Sequence, residues 1–235
     1  MNTDFLFIEN DWFTKKYESK SGSRFSTFKI ALNLLNQRGG STIVETGCVR
    51  MDNDFGAGMS SFIFCDYLSH YGGHLWTVDI SHQNIATCER ITAAYKDVRT
   101  CVINDSVNFL TLFGSVPGSS GKIDLLYLDS YDYPYFEMLD RYGYKTNQKA
   151  AIDTLNSISE EEALLKHGDL IDPCQQHCLN ELMAALPFCH DDTIILIDDN
   201  NLKGGGKSRL AKKWLLESGK YQLLLDNHQT LWIRR

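Results

Sequence analysis

The chain has 235 residues, of which 43% are hydrophobic, and a formal net charge of −7 at pH 7. This length and apolar content favour one large domain over two small ones. An acidic chain without a basic stripe is not expected to bind nucleic acid. No apolar run approaches the ~20 residues that span a bilayer, so we expect no membrane partner either.

Seven cysteines are scattered along the chain, and several fall in predicted strands or helices. Their odd number and lack of paired spacing are typical of buried reduced thiols. The first residues are acidic where a signal peptide needs a basic start. These features predict a cytoplasmic location.

Hydrophobic periodicity predicts the elements in chain order. Residues 1–40 form an N-terminal helical segment, in which apolar side chains recur on one helix face. Strands alternate with helices after it, and Ser81 is the predicted N-cap of the helix that follows the second strand. The predicted strands are 42–46, 74–79, 98–103, 123–128 and 193–197, followed by an antiparallel hairpin of 221–225 and 230–233.

Residues 130–172 interrupt this alternation. They are tyrosine-rich and acidic, and they are too long for an ordinary connection between a strand and a helix. We predict an insertion or lid here, within a single domain of residues 1–235. After the insertion, Pro173 is predicted to open a helix that runs through Leu186.

Alternating strands and helices predict an α/β fold, in which a parallel sheet lies between two helical layers. In such sheets, ligands bind beyond the carboxyl ends of the strands. Acidic residues follow or end each predicted parallel strand, so we expect them to gather at one rim. These residues are Glu45, Asp79, Asp105, Asp129, Asp198 and Asp199.

The segment from Glu45 to Ser61 reads as a strand, a glycine-bearing loop and the start of a helix. This arrangement presents backbone N–H groups to a nucleotide-like ligand, although the glycines could also form an ordinary turn. Asp79, at the end of the next strand, could accept hydrogen bonds from both ribose hydroxyls of a nucleoside. It could equally be a helix-capping acid.

The order of six segments resembles class I S-adenosylmethionine-dependent methyltransferases over most of residues 40–235. Strands four and five are similar to the metal-assisted branch that methylates hydroxyl groups of small molecules and sugars. The resemblance implies a Rossmann-like three-layer sandwich, a seven-stranded, mostly parallel sheet with an antiparallel C-terminal hairpin, and S-adenosylmethionine as the cofactor. The segments are VETG, GAGMSS, LWTVDIS, INDSVNFL, IDLLYLDSYD and TIILIDDN.

The resemblance also implies which residues bind the cofactor. The stretch that holds Arg50 is longer than the family's compact glycine motif; Arg50 could pair with the cofactor carboxylate or be solvated. The implied residues are Glu45, Thr46 and Gly47 for the methionine part, Gly56, Gly58 and Ser60 for the loop beside it, Asp79 for the ribose, and Ile80, Asp105 and Ser106 for the adenine. Asp129 is also implied as a cofactor-binding residue.

Asp129, Asp199 and Asn200 stand where the metal-assisted branch places its ligands. Two carboxylates and an amide oxygen are hard donors that suit Mg²⁺. The ion would lower the pKa of the acceptor hydroxyl and orient it. Asp198 is an alternative ligand. If no metal binds, the segment from Asp198 to Asn201 is a polar turn, and Asp129 alone contacts the cofactor or the substrate.

Asp132 and His177 are the predicted catalytic residues, because either could remove the acceptor proton. Asp132 could also be a third metal ligand, and a lone histidine can be structural. Methyl transfer from a sulfonium depends strongly on positioning, so a strict base is not required.

Two other motifs resemble ligand-binding motifs but lack residues that those motifs require. Gly204 to Ser208 follow a strand and open a helix, but Asn201 stands where a phosphate-binding loop needs its first glycine. Cys174 and Cys178 lie close to His177, but a fourth zinc ligand is missing. We therefore predict that they are core or helix-surface cysteines.

The sequence therefore predicts a methyltransferase that acts on a hydroxyl of a small molecule or sugar, with or without Mg²⁺. One alternative is an NAD(P)-dependent Rossmann oxidoreductase, since Gly56, Gly58 and Ser61 followed by Asp79 are close to its fingerprint. A second alternative is a cofactor-binding module without turnover. A homo-oligomer is left open.

Overall fold

The computed structural model describes residues 12–56 and 59–235. Gly58, one of the predicted cofactor residues, lies outside the described residues. The first part of the predicted N-terminal segment does so too, and the rest of that segment forms two helices, α1 and α2. The helices are α1 Trp12–Tyr17, α2 Phe25–Gln37, α3 Ser60–Tyr71, α4 His82–Ile91, α5 Ser106–Thr111, α6 Tyr135–Asp140, α7 Gln148–Ser157, α8 Glu160–Ala185 and α9 Arg209–Glu217.

Seven strands form one sheet in the order β3-β2-β1-β4-β5-β7-β6. The first five strands pair in parallel, and β7 pairs antiparallel with both β5 and β6. The predicted seven-stranded sheet with a C-terminal hairpin is therefore confirmed. The strands are β1 Thr42–Thr46, β2 His74–Asp79, β3 Arg99–Ile103, β4 Ile123–Leu128, β5 Cys189–Ile197, β6 Tyr221–Asp226 and β7 Thr230–Arg234.

The sheet lies between two helical layers because successive strand residues point to opposite faces. On β1, Ile43 packs in a cluster with residues of α2 and α3. Its neighbour Val44 packs in another cluster with residues of α5, α8 and α9. Leu125 and Leu126 of β4 divide between the same two clusters. The predicted three-layer sandwich is confirmed.

The insertion packs as a helical unit with its own apolar cluster, which includes Met138, Leu155 and Ile171. It contains α6, α7 and the first half of α8. The prediction that Pro173 opens a helix was wrong, because α8 is continuous from Glu160 and has Pro173 inside it. The helix begins instead after Ser159, whose hydroxyl accepts the backbone N–H of Glu162 at 3.0 Å, as an N-cap does.

Two general features bear on the sequence predictions. Within the described ranges, none of the helices combines the length and the apolar character that crossing a bilayer requires. All seven cysteines lie in these ranges and are free. Cys174 and Cys178 are fully buried and pack in different apolar clusters, as core cysteines do.

Candidate functional site

Two cavities meet at the carboxyl ends of β1, β2 and β4. The first has a volume of about 260 Å³ and is lined by residues of the loop after β1, among others. The second has a volume of about 230 Å³ and is bordered by the start of α5 and by α8. Asp79, Ile80 and Ser130 line both cavities, so one extended ligand could occupy them together.

The end of β1 contributes Gly47 to the first cavity, but not Glu45 or Thr46. Both of these side chains are fully buried, because the strand is covered on both faces. They lie beneath the cavity, and their contact with the cofactor stays a prediction. Glu45 Oε2 accepts the Ser61 hydroxyl at 2.6 Å, whereas Oε1 has no partner among the described residues. Burial raises the pKa of Glu45 to about 8.

Gly47 allows β1 and β4 to approach closely at the cavity floor. Its φ is +76°, a conformation that favours glycine. A Cβ there would lie 2.6 Å from the backbone oxygen of Asp129. Ser60, at the start of α3, lines the first cavity as predicted. Gly56 is not among the lining residues, and its carbonyl accepts a hydrogen bond from Arg24 instead.

Asp79 is held in place at the end of β2. Its Oδ1 accepts the backbone N–H of Ser81 at 2.7 Å, and the Asn84 amide donates to both carboxylate oxygens. Ser81 caps α4 as predicted. Ile80 is 73% exposed although it is apolar, which leaves its side chain available to a flat apolar ligand group. The predicted ribose and adenine residues thus lie side by side.

The second cavity contains the remaining adenine candidates, Asp105 and Ser106, together with His177. His177 Nε2 lies 3.0 Å from the Ser106 hydroxyl, 3.1 Å from the Ser130 hydroxyl and 3.4 Å from Glu181 Oε1. The hydrogen bond with Glu181 raises the pKa of His177. The predicted base therefore lies with the adenine candidates rather than in the first cavity.

Asp132, the other predicted catalytic residue, does line the first cavity. Its carboxylate forms a salt bridge with Arg50 at 2.8 Å, and the two side chains are 74% and 47% exposed. Sequence reasoning noted both residues but not their pairing. Ser130 and Glu181 were missed altogether, since a serine after a strand and a glutamate within a helix carry no distinctive pattern.

Two cations from the chain pair with the three carboxylates of the acidic rim at the ends of β4 and β5. The Lys207 ammonium lies 2.6 Å from Asp129 Oδ1 and 3.5 Å from Asp199 Oδ2. The Arg24 guanidinium lies 2.8 Å from Asp198 Oδ2 and 3.7 Å from Asp199 Oδ1. Burial would lower the pKa of Lys207, but the surrounding carboxylates raise it well above its ordinary value.

The three predicted metal ligands do not converge on an open position. Asn200 is turned away, since its Oδ1 accepts the Ser208 hydroxyl and its amide group donates to Asp226 and to the Asn227 carbonyl. Asp129 and Asp199 face Lys207. The ammonium contacts both carboxylates, so a divalent ion could share them only after displacing it. These residues do not fit Mg²⁺.

Among the described residues, one other group of acids and a histidine comes close enough to share an ion. Asp198, Asp199 and His228 each place one candidate atom within 4.8 Å of the others. Arg24 already contacts both carboxylates. The Tyr127 hydroxyl donates to Asp198 Oδ2 at 2.6 Å. Both carboxylates of this group therefore already have partners within the protein.

The strand order and the cavities at the strand ends define a Rossmann-like α/β fold of the methyltransferase type. An O-methyltransferase from Bacillus cereus, solved with S-adenosylhomocysteine, aligns over 98% of this chain and 94% of its own at 11% identity, with a TM-score of 0.54. A TDP-rhamnose 3'-O-methyltransferase of calicheamicin biosynthesis aligns over 97% and 87% at 13% identity, with a TM-score of 0.54.

A third solved structure, from Streptomyces achromogenes, is an O-methyltransferase involved in tomaymycin synthesis and bound to S-adenosylmethionine. It aligns over 97% of this chain and 92% of its own at 13% identity, with a TM-score of 0.50. At these identities the likeness establishes the shared fold. No protein-family model matches the sequence, and no curated protein does.

Proposed function

We propose that this protein transfers a methyl group from S-adenosylmethionine to a hydroxyl group of a small molecule or a sugar. The observation that carries the proposal is the pair of adjoining cavities that share Asp79 and Ile80. One cavity suits the amino-acid part of such a cofactor and the other suits its base. The shared residues lie where the ribose would join them.

The cofactor would use polar groups that the fold already holds in position. Asp79 is fixed by Ser81 and Asn84, so its carboxylate can accept from ribose hydroxyls with little loss of side-chain freedom. Ile80 would pack on one adenine face. Arg50 borders the first cavity and could pair with the cofactor carboxylate.

In the reaction, the acceptor oxygen attacks the methyl carbon, a C–O bond forms and the C–S bond breaks. The electron pair of that bond stays on sulfur, which becomes neutral. The hydroxyl proton leaves to a base or to water. Asp132 is the carboxylate candidate for this role in the first cavity, and its exposure would let the proton pass to solvent. Holding the two reactants in line supplies much of the catalysis.

The acceptor would enter beside the insertion. Tyr131 and Asp132 begin this segment and line the cavities. The insertion itself packs as a helical unit, and in this proposal it is the lid that covers the acceptor. A sugar or small-molecule hydroxyl also agrees with the sugar named for one structural neighbour. Mg²⁺ is not carried into the proposal, because the predicted ligands do not fit it.

A cytoplasmic location stays a prediction, and the oligomeric state stays open. The free cysteines suit a reducing compartment. The choice between a monomer and an oligomer needs a measurement of mass in solution.

The strand order argues against the oxidoreductase alternative. A dinucleotide-binding sheet has the order 3-2-1-4-5-6, whereas here the antiparallel β7 lies between β5 and β6. The strand order does not argue against the other alternative, a cofactor-binding module without turnover. The carboxylates at the ends of β4 and β5 do not argue for turnover, because Lys207 and Arg24 pair with them in the fold.

Calorimetry and a turnover assay test the proposal together. We expect S-adenosylhomocysteine to bind and NAD(P)⁺ not to bind. We also expect S-adenosylmethionine to be converted to S-adenosylhomocysteine in the presence of sugar-nucleotide or phenolic acceptors. Binding of NAD(P)⁺ alone would overturn the choice. Binding of S-adenosylhomocysteine without turnover on a broad acceptor panel would favour the module.

A further inference from the structure

The Lys207 ammonium lies between two carboxylates that were predicted to share a divalent metal. We propose that Lys207 is the resident cation of this rim, and that the protein needs no metal ion there. Three observations support the assignment: the backbone position of Lys207, the burial of its side chain, and the hydrogen bonds that occupy Asn200, the third predicted ligand.

The turn before Lys207 fixes its position. Gly204, Gly205 and Gly206 all have positive φ, and the Lys207 N–H donates to the Asp199 carbonyl at 2.9 Å. A Cβ at Gly206 would collide with that carbonyl oxygen. The buried Gln175 amide donates to the carbonyls of Gly204 and Gly206 at 3.0 and 2.8 Å. The turn is therefore tied both to the end of β5 and to α8.

The residue after Lys207 removes a metal ligand. The Ser208 hydroxyl donates to Asn200 Oδ1 at 2.7 Å, which is the oxygen that a cation would need. One short segment thus supplies a positive charge to Asp129 and Asp199 and occupies the amide oxygen beside them. The glycine-lysine-serine motif that resembles a phosphate-binding loop has this role in the structure.

Burial prevents Lys207 from being an incidental surface partner. The residue is 1% exposed, and a buried ammonium persists only when it is paired. Its partners are the carboxylates of Asp129 and Asp199. A protonated amine has no lone pair for a metal. A divalent ion would therefore have to displace the ammonium to reach the two carboxylates.

Lys207 would act on catalysis through Asp129. Asp129 lines the first cavity, and Lys207 does not, so Lys207 is a positioning residue that holds the Asp129 carboxylate in one orientation. This consequence rests on the proposed methyl transfer. The cation assignment itself does not, since it concerns only what occupies the rim.

Binding of Mn²⁺, followed by electron paramagnetic resonance on the full chain, tests the assignment directly. We expect the wild-type protein to show no site that depends on Asp199. We expect Lys207→Ala to bind Mn²⁺ at least about tenfold more tightly, because the freed carboxylates then face an open position. Adding Asp199→Asn to that variant should abolish the gain.

Lys16→Ala is the matched control. Lys16 also pairs with a buried aspartate, Asp66, at 2.9 Å, but no second carboxylate joins them to form a metal site among the described residues. This variant should gain no Mn²⁺ binding. An equal gain in Lys16→Ala would mean that any uncompensated buried carboxylate attracts the ion, and the specific assignment would fail.

Removing one partner of a buried ion pair can prevent folding. Two further measurements therefore test the assignment in case Lys207→Ala is unstable. Rescue of the thermal stability of Lys207→Ala by Mn²⁺ would support the assignment. The wild-type protein gives an independent test of the assignment. An Asp199-dependent Mn²⁺ site in the wild-type protein would overturn the proposal. So would turnover that is lost with a chelator and restored by Mg²⁺.

The failure of this inference and that of the proposed function are distinguishable. A wild-type protein that binds neither S-adenosylhomocysteine nor Mn²⁺ would lose the methyltransferase assignment and keep Lys207 as the resident cation. A protein that binds S-adenosylhomocysteine and has an Asp199-dependent Mn²⁺ site would keep the methyltransferase assignment and lose the cation assignment.

Discussion

Arg50, on the loop after β1, forms a salt bridge with Asp132, on the loop after β4, at 2.8 Å. Both residues line the first cavity, so this exposed ion pair bridges two loops that border the proposed cofactor position. The cofactor carboxylate would compete with Asp132 for the guanidinium. In the proposed function, the pair would therefore link cofactor binding to the ion pairing of Asp132, the candidate base.

Arg50→Ala should weaken binding of S-adenosylhomocysteine about tenfold, because a hydrogen-bonded charge pair contributes about 1.5–3 kcal/mol at best and less when exposed. Stability should change by less than about 1 kcal/mol, as for other exposed ion pairs. Calorimetry and denaturant unfolding measure the two effects. Arg90→Ala is the control, since Arg90 forms a similarly exposed pair with Asp52 at 2.8 Å. Equal binding losses in both variants would remove the carboxylate role.

Asp132→Asn separates the two roles of the ion pair. The substitution releases Arg50, so cofactor affinity should be unchanged or higher. If the carboxylate takes the acceptor proton, kcat should fall by about 10²–10⁴-fold. The measurement is kcat and KM for the cofactor across pH. An unchanged kcat would show that water or the acceptor itself disposes of the proton.

Asp79→Asn should weaken cofactor binding by about 10–100-fold, because a neutral amide replaces a charged acceptor of ribose hydroxyls. Asn84→Ala removes the amide that holds the carboxylate and should produce a smaller loss in the same direction. Calorimetry with S-adenosylhomocysteine and with adenosine checks both variants. Affinity within a factor of two of the wild type for Asp79→Asn would contradict the ribose assignment.

His177→Ala should raise the KM for the cofactor about tenfold with little change in kcat, because the side chain lies in the second cavity with Ser106 and Ser130. A large loss of kcat at saturating cofactor would restore the base assignment. The pKa of His177 is raised from 6.5 by Glu181. Its contribution to stability is therefore complete below pH 6.5 and is lost as pH rises through the higher folded-state pKa.

Glu45 should make the cofactor-free protein less stable as pH rises. Burial raises its pKa from 4.5 to about 8. Between these values the unfolded chain releases a proton that the folded chain keeps, so the free energy of unfolding falls, by up to about 5 kcal/mol. Glu45→Gln should remove this dependence in urea unfolding across pH 5–9. A pH profile identical to that of the wild type would show that Glu45 is ionised when folded.

The sequence by itself determined the fold and the general position of the site. Apolar runs that end in acids are local patterns, and parallel strands bring their carboxyl ends to one rim. Asp79, Asp105 and Asp129 accordingly line the two cavities. The terminal hairpin also follows from two local runs and the turn between them.

Only the tertiary structure decided which charges meet at that rim. Arg24 and Asp198 are 174 positions apart, and Lys207 and Asp129 are 78 apart, so no local spacing indicates either pair. Asp79 is the last residue of β2, whereas Glu45 is the last but one of β1 and lies fully buried beneath the cavity. Periodicity shows where a strand ends, whereas the depth of that end and its partners depend on elements packed from elsewhere in the chain.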